Sequence, residues 1–409
     1  MRVHIIVYFQ LDFKTMHVFL AFTGAFLLLY SFLILYYHRL WDRITPGENE
    51  PTATPDLIAT RTAVPNGKRS AHLLKVSIII PARNEELHIG DCLGSIFNQS
   101  YPAAQIEVIV VNDFSTDNTA SVVEQTAGRA ILLNLHQFAE ENSLNAHKKK
   151  AIETGIAHAS GELIVCTDAD CTAGPEWIET LVQSYLKNDY KILAAPVKIE
   201  TDGSLLSIFQ ALDFISLQGI TGAAIHKNLY PMANGANLAY GRAAFYSVDG
   251  FKGIDHIASG DDMLLMAKMQ ARFPGKAGYL KNSKAIVSTE PADSLIAFFQ
   301  QRIRWASKIS HYGHPAIFIT LALVYTLNVC LLLLFFLSFK YDSWHWLIAF
   351  LMFKTFAEYF FVSKVAAFFQ QRALMSYFIL CQPFHIIYTV AAGTFGVFGK
   401  YSWKNRRVK

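Results

Sequence analysis

The chain is polar in its middle and apolar at both ends, and that distribution restricts its fold more than any other feature. Met16 to Tyr37 is a run of 22 residues without an acid, Lys or Arg, long enough as a helix to cross about 30 Å of hydrocarbon. Ala316 to Phe339 is a second uncharged run. Trp344 to Phe361 is a weaker third, interrupted by Lys354 and Glu358, and Tyr377 to Phe398 a fourth, interrupted by Pro383 and His385. Residues from about 44 to 293 contain no comparable run. These ends account for a composition with 52% hydrophobic and only 17% charged residues in 409, where ordinary soluble chains carry about 25% charge. A disordered chain is excluded. So is a nucleic-acid binder working by bulk charge, since Lys plus Arg number 36 against 32 acids, a formal +4. A wholly soluble enzyme fits poorly.

The first run exceeds the apolar core of a signal peptide, and no Ala-x-Ala-like site follows it; His38, Arg39, Trp41 and Arg43 do. It reads as an uncleaved anchor over about 16–37, within an N-terminal region 1–43. Basic residues after it (Arg39, Arg43, Lys68, Arg69) and before the second run (Arg302, Arg304, Lys308) favour a cytoplasmic central domain. The five cysteines are scattered and make neither a disulfide framework nor a CxxC site, which suits a reducing compartment. Four simple crossings would leave the basic terminus KYSWKNRRVK outside, against the positive-inside preference. Either one C-terminal segment fails to cross or a half-crossing is unmarked. Lys354 and Glu358, four apart on one helical face, are placed to pair inside a bundle.

Residues 44–75, rich in Pro, Thr and Gly, read as a linker. Beyond it strands and helices alternate. Strands are expected at Val76–Ile80, Glu107–Val111, Ala130–Asn134 and Leu163–Cys166, and helices at Asn84–Asn98, Thr116–Ala127 and Lys148–Ser160. This β-α-β-α order implies a doubly wound sheet with ligands at the carboxyl ends of its strands. Neither GxGxxG nor GxxxxGK[ST] is present.

The strand tips carry the chemistry. The first ends in Pro-Ala-Arg-Asn-Glu-Glu (81–86) and the second in Asn-Asp-Phe-Ser-Thr-Asp-Asn-Thr (112–119), where Asp113 can accept from a base N–H. Turns favour such residues for capping alone. The fourth strand ends in Asp168-Ala-Asp170. Two carboxylates leaving a strand can converge on Mg²⁺ or Mn²⁺, whose shell is completed by water and substrate phosphates. Further on lie Asn234-Gly-Ala-Asn237-Leu-Ala-Tyr and Ser259-Gly-Asp261-Asp262. The two acids at a helix start suit capping as well as a general base with a partner acid. In Gln300-Gln301-Arg-Ile-Arg304-Trp305, an apolar stripe of Leu295, Phe299, Ile303, Ala306 and Ile309 opposes Gln301, Arg304, Trp305 and Lys308. That pattern suits an interfacial helix over about 291–314. Its cations serve lipid head groups equally well as a leaving diphosphate.

Together and in order, PARNEE, NDFSTDNT, the Lys run, TDAD, NGANLAY, SGDD and QRIRW resemble the family 2 glycosyltransferases. The resemblance is closest to the membrane-embedded QxxRW members related to cellulose, hyaluronan and chitin synthases and to ceramide glucosyltransferase. It covers about 76–310. It implies a GT-A domain over 76–290, with a mixed, Rossmann-like sheet, held between the N-terminal helix and a C-terminal transmembrane region over 315–409 (about 316–339, 344–361 and 377–398). It implies that Ala82, Asn84, Glu85 and Asp113 surround the nucleotide, and that Lys148 or Lys149 meets it, with His147 in the usual Gly place. Asp168 and Asp170 match the DxD pair that binds diphosphate through Mg²⁺ or Mn²⁺. Asp262 matches the general base, with Asp261 in place of the usual Glu. Gln301 and Arg304 fall on the donor diphosphate and Trp305, with Asn237, on the acceptor. The implied reaction is an inverting transfer from a nucleotide sugar, UDP-linked by the resemblance, to a lipid-linked or saccharide acceptor at a bacterial plasma membrane. No nucleic acid is involved. Two alternatives stay open: a processive β-polysaccharide synthase, and a non-catalytic nucleotide-binding scaffold of an export complex.

Overall fold

A computed structural model describes residues 13–45, 73–308, 313–398, 401–403 and 406–408. Most of the expected linker, and Ile309 of the expected stripe, lie outside the described residues. The chain opens with α1 (Phe13–Arg43), then β1 (Val76–Ala82), α2 (Ile89–Phe97), β2 (Ile106–Asn112), α3 (Thr119–Glu124), β3 (Ile131–Asn134), α4 (His147–His158) and β4 (Leu163–Cys166). Every position of β1 except Pro81 is buried, as a central strand covered on both faces requires. It pairs in parallel with β2 (Val76 opposite Ile106) and with β4 (Val76 opposite Leu163).

The next elements are β5 (Cys171–Ala173), α5 (Trp177–Asn188), β6 (Ile192–Ala194), β7 (Val197–Ile199), α6 (Leu205–His226), β8 (Leu238–Gly241), α7 (Arg242–Ser247), α8 (Met263–Arg272), β9 (Ala277–Tyr279) and β10 (Val287–Thr289). The main sheet has the order β3-β2-β1-β4-β8-β6-β9, and β8 runs antiparallel to both neighbours, so the sheet is mixed. A second sheet, β5-β10-β7, adjoins it.

Then come α9 (Leu295–Ala306), α10 (Pro315–Tyr341), α11 (Trp344–Phe368), α12 (Phe378–Phe398) and a hairpin of β11 (Tyr401–Trp403) and β12 (Arg406–Val408). Among the described residues five helices are long and apolar enough to cross a membrane: α1, α6, α10, α11 and a stretch ending in α12. On their outer faces Phe32, Phe336, Phe339, Met352 and Ile379 are each more than 60% exposed. Such a surface is stable only in an apolar solvent.

The helix α6 corrects the expectation of no such run in the middle of the chain. Gln210, Asp213 and Gln218 dilute its hydropathy, but each is buried and has partners inside the protein. Gln218 accepts from Val197 N at 3.2 Å, and Gln210 exchanges two bonds with the backbone of Ala292. One side of α6 meets α1 and α11 and another meets β7 and β9, so it is the seam between sheet and bundle.

The stripe expected on α9 is also corrected. Phe298 and Arg302 are its buried residues, while Leu295 is 51% exposed. Arg302 turns inward because Asp213 on α6 lies 2.7 Å from its Nη2. Finally, α12 starts beside Tyr359 and ends with Gly396 against Ala306 of α9, where the hairpin also packs. The last helix therefore returns to α9.

Candidate active site

The carboxyl ends of β1, β2 and β4 and the starts of α4 and α8 open on one cavity of about 1080 Å³. Its wall includes Ala82, Glu85, Asp113, Lys148, Asp168 and Asp170. Across from these are Asp261, Asp262, Gln301, Arg304 and Trp305. Acids and cations as far apart as Glu85 and Arg304 thus meet at one cavity, the first group delivered by parallel strands that end at one edge.

At the β2 tip, Asp113 is 2% exposed and its Oδ1 lies 3.1 Å from His147 Nδ1. Arg83 fixes the same turn, its Nη1 donating to the carbonyls of Asp113 and Phe114 at 2.9 Å each. Phe114 has φ 51°, a left-handed conformation that such bonds must hold in place. Neither Arg83 nor the His147 contact was among the expected site residues; the only signal was His147 standing where the family pattern has Gly.

Lys148 donates to Asp168 Oδ1 at 2.6 Å and lies 3.6 Å from Asp261 Oδ2. Burial pulls this ammonium down, but Asp168 and Asp261 outweigh it and hold its pKa above the ordinary lysine value. Burial likewise pushes Asp261 up, and Lys148 and Lys308 together reverse this and hold it below the usual carboxylate range. Gly235 permits the arrangement: a Cβ there would lie 2.9 Å from Asp261 Oδ2 and 3.4 Å from Lys148 Nζ.

Asp262 caps α8, accepting from Met263 N at 2.7 Å through Oδ1, while Oδ2 accepts from Gly235 N at 3.3 Å. Asp262 therefore caps the helix and also lines the cavity. Arg304 donates to Ser259 Oγ at 3.4 Å. Lys308, 7% exposed, faces the same cavity; burial pushes its ammonium down to about 8, against the pull of Asp262.

Three expected site residues do not reach the cavity wall. Lys149 points away, donating to the carbonyls of Ile254, Ile257 and Ser259 at 2.8, 2.6 and 2.9 Å. All three of its N–H donors are used, and burial pushes it down to about 8. Asn84, at φ 51°, ties its turn to the next one by accepting from Thr116 N. Asn237 is fully buried, accepting from Trp177 Nε1 and donating to Pro196 O and Ala285 O. Its hydrogen bonds are all internal.

Asp168 and Asp170 stand on one turn and both face the cavity. Among the described residues no cluster of three or more His, Cys, Asp or Glu could hold a metal alone. Two carboxylates fit a hard cation that takes its remaining ligands from substrate phosphates and water. The cavity does not stop here; it continues between the helices to Tyr30, Glu358, Gln382, His385 and Tyr388.

Comparison with known proteins places this geometry. A model described as glycosyl transferase family 2 matches residues 77–245, and one described as glycosyl transferase family group 2 matches 163–394, more than half of the chain. The chain is 29% identical to the "Probable glycosyltransferase YdaM" of Bacillus subtilis over 241 residues, 57% of this chain and 55% of that protein. It is 23% identical over 236 residues to the poly-beta-1,6-N-acetyl-D-glucosamine synthase of Staphylococcus epidermidis, 56% of this chain and 53% of that one. The matches thus span about half the length of these curated relatives. Among solved structures, the mannosyltransferase PcManGT of Pyrobaculum calidifontis, in complex with GDP-Man and Mn²⁺, superposes with a TM-score of 0.57 at 18% identity, over 93% of this chain and 98% of that one. That likeness establishes the fold: a GT-A-like mixed sheet between apolar helices.

Proposed function

The chain belongs to glycosyl transferase family group 2 and is a glycosyltransferase, and we propose that it moves a sugar from a nucleotide-sugar donor, UDP-linked, to a lipid-linked acceptor held in the membrane. The carrying observation is the single cavity that runs from Asp113 and Asp168 past Asp262 and Arg304 into the helical bundle. The donor lies at the strand tips, its base toward Asp113 and its diphosphate between Asp168, Lys148, Gln301 and Arg304. Asp168 and Asp170 would hold Mg²⁺ or Mn²⁺, which when bound neutralises diphosphate charge. The acceptor oxygen forms its bond to the anomeric carbon as the bond to the diphosphate breaks, with inversion. Asp262 takes the acceptor proton. Arg304 and Lys308 meet the charge that develops on the leaving group, and Trp305 flanks the acceptor.

Purified protein with Mn²⁺ and a panel of UDP- and GDP-sugars tests this. Nucleoside diphosphate should appear with one donor, and the sugar should appear in the lipid fraction. Release with none of the donors would overturn the reading. A second reading, a processive polymer synthase, is favoured by the likeness to the poly-N-acetylglucosamine synthase; a ladder of products in place of one addition would select it. The family match and the presence of Asp168, Asp170, Asp262 and Arg304 on the cavity wall support an enzyme over the scaffold alternative.

A further inference from the structure

The bundle end of the cavity is lined by a cluster of hydrogen-bonding groups carried on otherwise apolar helices. Tyr30 on α1 donates to Glu358 Oε1. Lys354 lies 2.7 Å from the same oxygen and donates to Gln382 Oε1 at 2.8 Å; Gln382 in turn donates to Glu358 Oε2 at 2.7 Å. Next to this knot Tyr388 donates to Asp213, which is paired with Arg302 at 2.7 Å, an ion pair outside hydrogen-bond alignment. His385 also faces the cavity, its Nε2 4.0 Å from Asp213 Oδ1, and its Nδ1 has no hydrogen-bond partner in the structure. Ionised groups within membrane helices are expensive and persist where they serve a ligand or a pathway.

The charge pattern says what kind of ligand. Here each cation has its own acid, Lys354 with Glu358 and Arg302 with Asp213. The pairs cancel, and the cavity meets Arg302, Asp213 and Glu358 as neutralised partners among hydroxyl, amide and imidazole groups, bordered by apolar walls such as Phe209, Leu321 and Phe361. An anionic phosphate gains little net attraction there, because the charge of Arg302 is already offset by Asp213 and Glu358 presents a like charge. An uncharged group rich in hydroxyls can hydrogen-bond throughout, and aromatic rings lie beside it.

We propose that the cluster of Tyr30, Glu358, Gln382, His385 and Tyr388 binds an uncharged, hydroxyl-rich portion of an amphiphilic acceptor, glycolipid-like in chemistry, while its reacting oxygen reaches Asp262. This rests on the functional reading above, but its test needs no turnover. The full-length protein in nanodiscs free of sugar detergent is offered dodecyl maltoside, farnesyl phosphate or maltotetraose, and retention is read by native mass spectrometry. Dodecyl maltoside should be held about tenfold more tightly than farnesyl phosphate, as one or two net hydrogen bonds allow. His385→Phe, and separately Tyr388→Phe, should weaken it by about the same factor while nucleoside diphosphate binding stays unchanged. His385→Phe breaks no hydrogen bond to Nδ1 and leaves the Arg302–Asp213 pair intact, so a folded variant is expected; unchanged nucleotide binding verifies it. Tighter retention of farnesyl phosphate, or variants that hold dodecyl maltoside as the wild type does, would overturn the inference. Equal retention of maltotetraose would support the chemistry and move its source from a lipid to a soluble glycan. Retention of dodecyl maltoside by a protein that releases no nucleoside diphosphate from any donor would count against the functional reading alone.

Discussion

The two ends of the cavity use charge in opposite ways. At the strand tips acids and cations stand in a shared cluster: Lys148 serves both Asp168 and Asp261, and Lys308 lies in the field of both Asp262 and Asp261. In the bundle interior two charge pairs are matched one to one, Lys354 by Glu358 and Arg302 by Asp213. The first pattern suits a site where charge arrives and departs with a diphosphate. The second suits a low-dielectric region, where an unmatched charge is costly. Substitutions at the tips should therefore damage chemistry and spare the fold. Substitutions in the bundle should do the reverse or alter the acceptor.

The largest effect is expected from Asp262→Asn. The amide keeps an oxygen for the Met263 N–H, so the α8 cap survives, but the proposed base is lost. Transfer should fall about 10²–10⁴-fold with donor binding retained, as read by turnover and calorimetry. Near-normal turnover would remove Asp262 from the role of base. On the bundle side, Arg302→Met leaves Asp213 buried without its cation. Thermal unfolding in detergent should report a loss of about 3–5 kcal/mol, and the double variant Arg302→Met/Asp213→Leu should recover most of it. If the single variant is as stable as wild type, the pair carries no such weight.

Lys149 lies between these extremes. Its three bonds hold the loop that delivers Asp261 and Asp262. Lys149→Met should lower kcat about tenfold through misplacement of that loop, with little change in KM for the donor. A larger rise in KM than fall in kcat would make it a donor contact after all. The smallest effect concerns pH. Lys308, pushed down to about 8 by burial, is charged below that pH and neutral above it. Transfer should weaken as pH rises through about 8, and Lys308→Arg, charged to above about pH 12, should carry the alkaline limb with it. An unmoved limb would assign that ionisation elsewhere.

The same contrast explains what could be read from the amino-acid sequence. Asp168 and Asp170, or Gln301, Arg304 and Trp305, are neighbours in sequence, and a strand end or one helical face delivers them together. Those groups all reached the cavity wall. The parallel core over β1 to β4 was legible for a similar reason, since unbroken β-branched runs leave few other options. Asn84, Lys149 and Asn237 were drawn toward the ligand by their position in motifs, yet their hydrogen bonds go to Thr116, to carbonyls of 254–259 and to Trp177, partners no local pattern marks. The bundle cluster was hidden further still. Only the i,i+4 pair Lys354–Glu358 could be anticipated; Tyr30 meets Glu358 across 328 residues and Tyr388 meets Asp213 across 175. Asp213 itself disguised α6 by interrupting its hydropathy, because a side chain that is neutralised by a distant arginine counts as polar until the partner is known.

The central claim is that one cavity joins a nucleotide-sugar site to an acceptor in the membrane. Its most direct test is the fate of labelled sugar when the protein, reconstituted in lipid vesicles with an acceptor-containing lipid extract, turns over its preferred nucleotide sugar. The account predicts label in the organic phase with the wild type and none with Asp262→Asn, at equal donor binding. Label that stays wholly in the aqueous phase, with nucleoside diphosphate released all the same, would contradict it.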